Sequence, residues 1–157
     1  MALSIIIILY ASIGLLAAAG SIFISKKIFS TRGQQIFFAL FFVAIAGFYL
    51  AFTAYFRDQG AWRVETIAVI VFAVFGLLGL RLPFVLIIGY CLHGIWDVVH
   101  EIDAHSGVSP FGAHEMTELP LAYGVFCAAY DWCIAAYFYT RRREWSEAWK
   151  ACGTSRF

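Results

Sequence analysis

PFVLIIGYCLHGIWDVVHEI, residues 83–102, contains no lysine or arginine. At about 1.5 Å per residue it is just long enough to cross a hydrocarbon layer of roughly 30 Å as a helix. Yet it carries His93, Asp97, His100 and Glu101. Ionisable groups at such depth are costly unless paired, protonated or bound to a cation, which makes a membrane helix bearing four of them a candidate functional element.

Working outward, four more apolar stretches have membrane length, so that the spans are expected at about 3–24, 36–56, 64–80, 83–102 and 119–140. Composition agrees. The chain is 62% hydrophobic and 13% charged, which leaves too little polar surface for a water-soluble domain. Pro83 and Pro120 stand where first-turn prolines are tolerated, opening the fourth and fifth spans. Short connections make consecutive antiparallel helices neighbours, so the expected fold is an all-α integral membrane protein, five transmembrane helices in one compact bundle.

Basic residues set the orientation. Lys26, Lys27, Arg32, Arg81, Arg141, Arg142, Arg143, Lys150 and Arg156 fall on one side, leaving Arg57 and Arg63 on the other. Because lysine and arginine favour the cytoplasmic side, the N-terminus is expected outside and the C-terminus inside. The expected location is the cell membrane as a multi-pass protein, specifically a bacterial inner membrane. The first stretch ends in small residues, ASIGLLAAAG, but positive charges follow it rather than precede it, so it is read as a retained span and not a cleaved signal.

The tail, residues 141–157, carries Trp145 and Trp149 four apart among arginine, glutamate and lysine, the pattern of a short amphipathic helix at the cytoplasmic interface. Three consecutive arginines after a last span are what orientation alone demands, so nucleic acid is not an expected partner. Cys91, Cys127, Cys133 and Cys152 show no CxxC spacing, and neither a disulfide framework nor a structural zinc knot is expected.

On helical geometry His93, Asp97, His100 and Glu101 share one face, but their stripe rises about 12 Å, too far for one ion. Only neighbours three or four apart can close on an ion together. The fifth span offers Asp131 at nearly the depth of His93, and Gly124, Cys127, Ala128 and Ala135 near that face would let the two helices approach closely. No lysine or arginine lies in the middle of any span, so Asp97 and Asp131 need a proton, an imidazolium or a metal. All four histidines fall in the outer half, where the loop adds His105 and His114, and Glu65 opens the third span nearby. The metal ligands expected are therefore His93, Asp97, His100, Asp131, His105 and His114. Imidazoles with carboxylates suit a divalent zinc, iron, manganese or copper ion. Glu101 and Asp131 are the expected catalytic groups, Glu101 as general base.

With these residues in view, HGIWDVVHEID followed by FCAAYDW resembles a family of small bacterial multi-span membrane proteins of unknown function marked by an HxxWDxxHH motif and a later aspartate in the last helix. The resemblance covers the C-terminal third. It implies His93, Trp96, Asp97, His100 and Asp131 as the matching positions, with Glu101 where a second histidine is expected, and it implies no reaction.

Three functions follow. A metal-dependent enzyme, a hydrolase or oxidoreductase, would act on a lipid or other apolar molecule from the outer leaflet. An accessory subunit would share the metal or cofactor with a larger membrane complex, or the chain would form a homo-oligomer. A proton or metal-ion relay would need polar steps in the inner halves of the spans, which the sequence lacks. The enzyme is the leading expectation.

Overall fold

The computed structural model describes residues 2–107, 109–112 and 115–153, with side chains as far as Lys150. Six helices run in order: α1 Ala2–Ile28, α2 Thr31–Phe56, α3 Trp62–Gly79, α4 Pro83–Ser106, α5 Tyr123–Thr140 and α6 Arg142–Gly153. The described residues form no strand. Of the helices, α1 to α4 are long and apolar enough to cross a membrane. The fifth expected span, α5, has 18 residues, and Tyr123, Tyr130, Asp131, Trp132, Tyr137 and Tyr139 dilute its apolar character.

Element ends differ from the apolar runs for local reasons. SKKIFSTRGQQ, read from sequence as a connection, is mostly helix: α1 continues through Lys26 and Lys27, and the Ser30 side chain caps α2 by accepting from Gly33 N. The fifth stretch, expected from 119, becomes helical only at Tyr123, because Ala122 takes a left-handed backbone (φ 56°) that breaks the helix before it. α4 runs past 102 to Ser106 and stops at Gly107, whose positive φ of 66° suits the residue after a helix end.

The most extensive helix contact joins α4 to α5, followed by α1 to α5 and α2 to α3. Among α1 to α5, consecutive order fails at one place. Although only Phe29 and Ser30 separate them, α1 and α2 scarcely touch, and α1 packs on α5 instead. Backbone approach explains this: a Cβ on Gly14 of α1 would collide with the carbonyl oxygen of Phe126, so the two helices meet only because Gly14 has none. Beyond Gly14, Ala18 and Ser25, α1 has no fully buried residue, and Ile5, Ile8 and Leu16 face outward.

The end of the bundle where α2 begins is closed by α6. Trp145 is fully buried against Phe138 and Tyr137, with ring centroids 4.7 and 5.7 Å away. Trp149 Nε1 donates to Gln35 Oε1 (3.0 Å), and Gln35 Nε2 donates to the Gly79 carbonyl (2.8 Å), tying α6 to α2 and the end of α3. Arg141 donates from Nε to both Glu144 oxygens (3.1 and 3.0 Å), and these hydrogen bonds hold the exposed Glu144 carboxyl below its ordinary pKa. A carboxyl so lowered contributes above its ordinary range and loses its contribution as pH falls through its folded value. Acidification from pH 7 to 3 is therefore expected to increase amide exchange in the first turn of α6 slightly. Arg141→Ala should abolish that pH dependence, since a surface pair is worth little more.

A buried histidine and two aspartates between α4 and α5

α4 and α5 meet through glycine. A Cβ on Gly124 would strike the carbonyl oxygen of Asp97 and would lie 3.0 Å from Glu101 Oε2, so the N-terminal end of α5 lies directly against α4. Gly94 serves the reverse face, where the Trp132 indole crosses α4 and donates from Nε1 to the Cys91 carbonyl (3.3 Å). This close approach carries Asp131 to His93.

His93, Asp97 and Asp131 are each 0% exposed. His93 Nδ1 lies 2.7 Å from Asp131 Oδ2 and 3.3 Å from Asp97 Oδ2, and one ligand atom from each of the three residues falls within 4.8 Å of the others. Tyr49 of α2 donates its hydroxyl to Asp97 Oδ1. The rings of Phe72, Phe42 and Tyr49 surround the imidazole, with centroids 4.7, 5.5 and 5.7 Å away. In such apolar surroundings charges are screened weakly, so the group must approach neutrality as a unit.

His100, expected among the ligands, is paired elsewhere. Its Nε2 lies 2.8 Å from Glu65 Oε1, and its Nδ1 lies 3.1 Å from the Trp96 carbonyl. A carbonyl only accepts, so Nδ1 carries a proton, and the Glu65 contact is then either imidazolium with carboxylate or imidazole with carboxylic acid. Either arrangement sums to zero charge. The Thr117 backbone N–H also donates to Glu65 Oε1 (3.0 Å), anchoring the loop between α4 and α5.

Glu101, expected as a general base, accepts from Gly124 N through Oε2 (3.1 Å) at the N-terminal turn of α5. That turn lacks a side-chain cap of its own, and a carboxylate at a helix N-terminus is favourable. Its other oxygen is 3.4 Å from His105 Nδ1, which also bonds the Glu101 carbonyl (2.8 Å). The structure thus pairs His105 with Glu101 and brings neither into the His93 group. His114 lies outside the described residues.

The charge count follows. Glu65 has His100, Glu101 has His105, and among the described residues Asp97 and Asp131 share His93 alone. Three donor atoms could hold a metal ion. Tetrahedral ligands at about 2.1 Å stand about 3.4 Å apart, so the His93–Asp97 separation already fits and the His93–Asp131 contact needs to widen by several tenths of an ångström. Cys127 is not among these donors. Tyr49 was missed by sequence reasoning, and its one available signal is that it stands near the middle of the span expected at 36–56.

Fold and site define a class: a helical bundle with candidate membrane helices and a buried imidazole–carboxylate group able to take a metal. Residues 8–144 match the family of unknown function DUF6010, and the chain belongs to that family. No curated protein and no solved structure matches it.

Proposed function

We propose that this chain is a membrane-embedded metalloprotein that holds one divalent first-row ion on His93, Asp97 and Asp131, and that it works as a metal-dependent enzyme on an apolar substrate. The observation that carries the reading is the surplus of one carboxylate: two wholly buried aspartates share one histidine, with no lysine or arginine at that depth. A divalent ion, two carboxylates and a neutral imidazole sum to zero. Three protein ligands leave a coordination position open, as catalytic sites do and closed structural sites do not. A bound ion there would supply a Lewis acid. Tyr49 orients Asp97 by its hydrogen bond, the role outer partners play in metal sites.

In this reading α5 is the fifth crossing, with the N-terminus outside, the three arginines after it inside, and the cell membrane as the location. A reporter active only in the cytoplasm, fused after Phe157, should be active; activity only for a periplasmic reporter would reverse the orientation. For the metal, protein purified in detergent and loaded in turn with zinc, manganese and ferrous iron should retain close to one ion per chain after desalting. Retention of none of the three would sink the metal reading and leave a proton shared between the aspartates.

A further inference from the structure

Because α1 leans on α5 and away from α2, a groove of about 410 Å³ opens between α1, α2 and α5. That volume lies in the range of small-molecule sites. Along α2 its wall is Phe41, Ile45, Phe48 and Phe52, one helical stripe about 16 Å long. Tyr123 lines it from α5, and Asp131 forms part of the same wall. Asp131 stands eight residues from the first residue of α5 and nine from the last, hence about 12 Å from either end. Its Oδ2 faces His93, while Oδ1, equally buried, has no hydrogen-bond partner among the described residues.

We propose that this groove binds an uncharged single-chain alcohol, drawn from the bilayer, whose hydroxyl donates to Asp131 Oδ1 once the side chains that cover this oxygen move aside. This deepens the metal-centre reading, since it names the substrate class of the same site. A carboxylate oxygen only accepts, so the missing partner is a donor. Mid-depth placement rules out a phospholipid, because its charged head would have to leave water for the membrane centre. One aromatic stripe and a volume of this size accommodate one chain and not two. The open side between α1 and α2 gives entry from the lipid, and the aromatic walls supply the apolar surface that holds the chain.

The test uses the whole chain in lipid nanodiscs and a twelve-carbon primary alcohol bearing a mid-chain diazirine. After irradiation, adducts should concentrate in Phe41–Phe52 and Tyr123–Asp131. Dodecan-1-ol should compete at a concentration about tenfold or more below that of 1-methoxydodecane, since a hydrogen bond to a charged group is worth at least that factor. Asp131→Leu should erase the preference. Ala17→Phe, which fills the groove from α1 and spares the three aspartate and histidine ligands, should abolish labelling with metal content unchanged. Adducts spread evenly over the outward faces of α1 and α3, or equal competition by alcohol and ether, would overturn the proposal. Metal measured in the same samples separates the two readings: selective labelling without retained metal would sink the metal centre and keep the groove.

Discussion

Asp97→Asn and Asp131→Asn should each lower metal affinity by at least about a hundredfold, because loss of a mere outer-sphere partner already costs about 10- to 100-fold and in the proposed centre these groups would face the ion directly. His93→Ala should do the same. His100→Ala separates this site from the wider stripe of acids and histidines: it should keep the metal while costing about 3 kcal/mol of stability, since it leaves Glu65 buried without its partner. Tyr49→Phe belongs between these, with a loss of about tenfold in affinity and little in stability, as Asp97 loses one oriented hydrogen bond. Metal titration by calorimetry beside thermal unfolding reads both quantities for every variant. Loss of metal in His100→Ala with retention in Asp97→Asn would show that the ligands had been misassigned.

The second large effect lies in the joint between α4 and α5. Gly124→Leu must displace the Asp97 carbonyl and the Glu101 side chain together, and overpacking of that kind costs about 3 kcal/mol. The shift would be felt at Asp131, two turns along the same helix, so metal affinity should fall with stability although no ligand is altered. Gly124→Ala should show a smaller version of both losses. Gly20→Leu on α1, where a Cβ meets nothing within 4 Å, should change neither. Equal stability of Gly124→Leu and wild type would mean that α4 and α5 do not approach as closely as described.

How far the sequence reaches is clear from particular residues. The first four long helices were legible as long, mostly apolar runs, because a membrane span announces itself by length and composition. The start of α5 was not: Leu119, Leu121 and Ala122 are apolar but non-helical, and only the backbone at Ala122 marks the change. Nor was the partner of α1, since an apolar helix exposed on most sides shows no polar stripe, and Gly14 is one small residue among many. Within the site, matching depth and the small residues of the fifth span placed Asp131 beside His93. It could not sort the histidines: His100 stands two turns above His93, about 10 Å along the axis, where Glu65 is the nearer acid. Glu101 was legible as a polar group on the right face, but its engagement with the N-terminus of α5 depends on a contact between helices that spacing along one of them does not encode.

X-ray absorption on zinc-loaded protein probes the central claim most directly, because it reads the atoms around the ion. The expected shell is nitrogen and oxygen at about 2.0–2.2 Å, with the outer-shell scattering of a single imidazole and no sulfur at about 2.3 Å. Two or more imidazoles, or a sulfur ligand, would contradict a centre built from His93, Asp97 and Asp131.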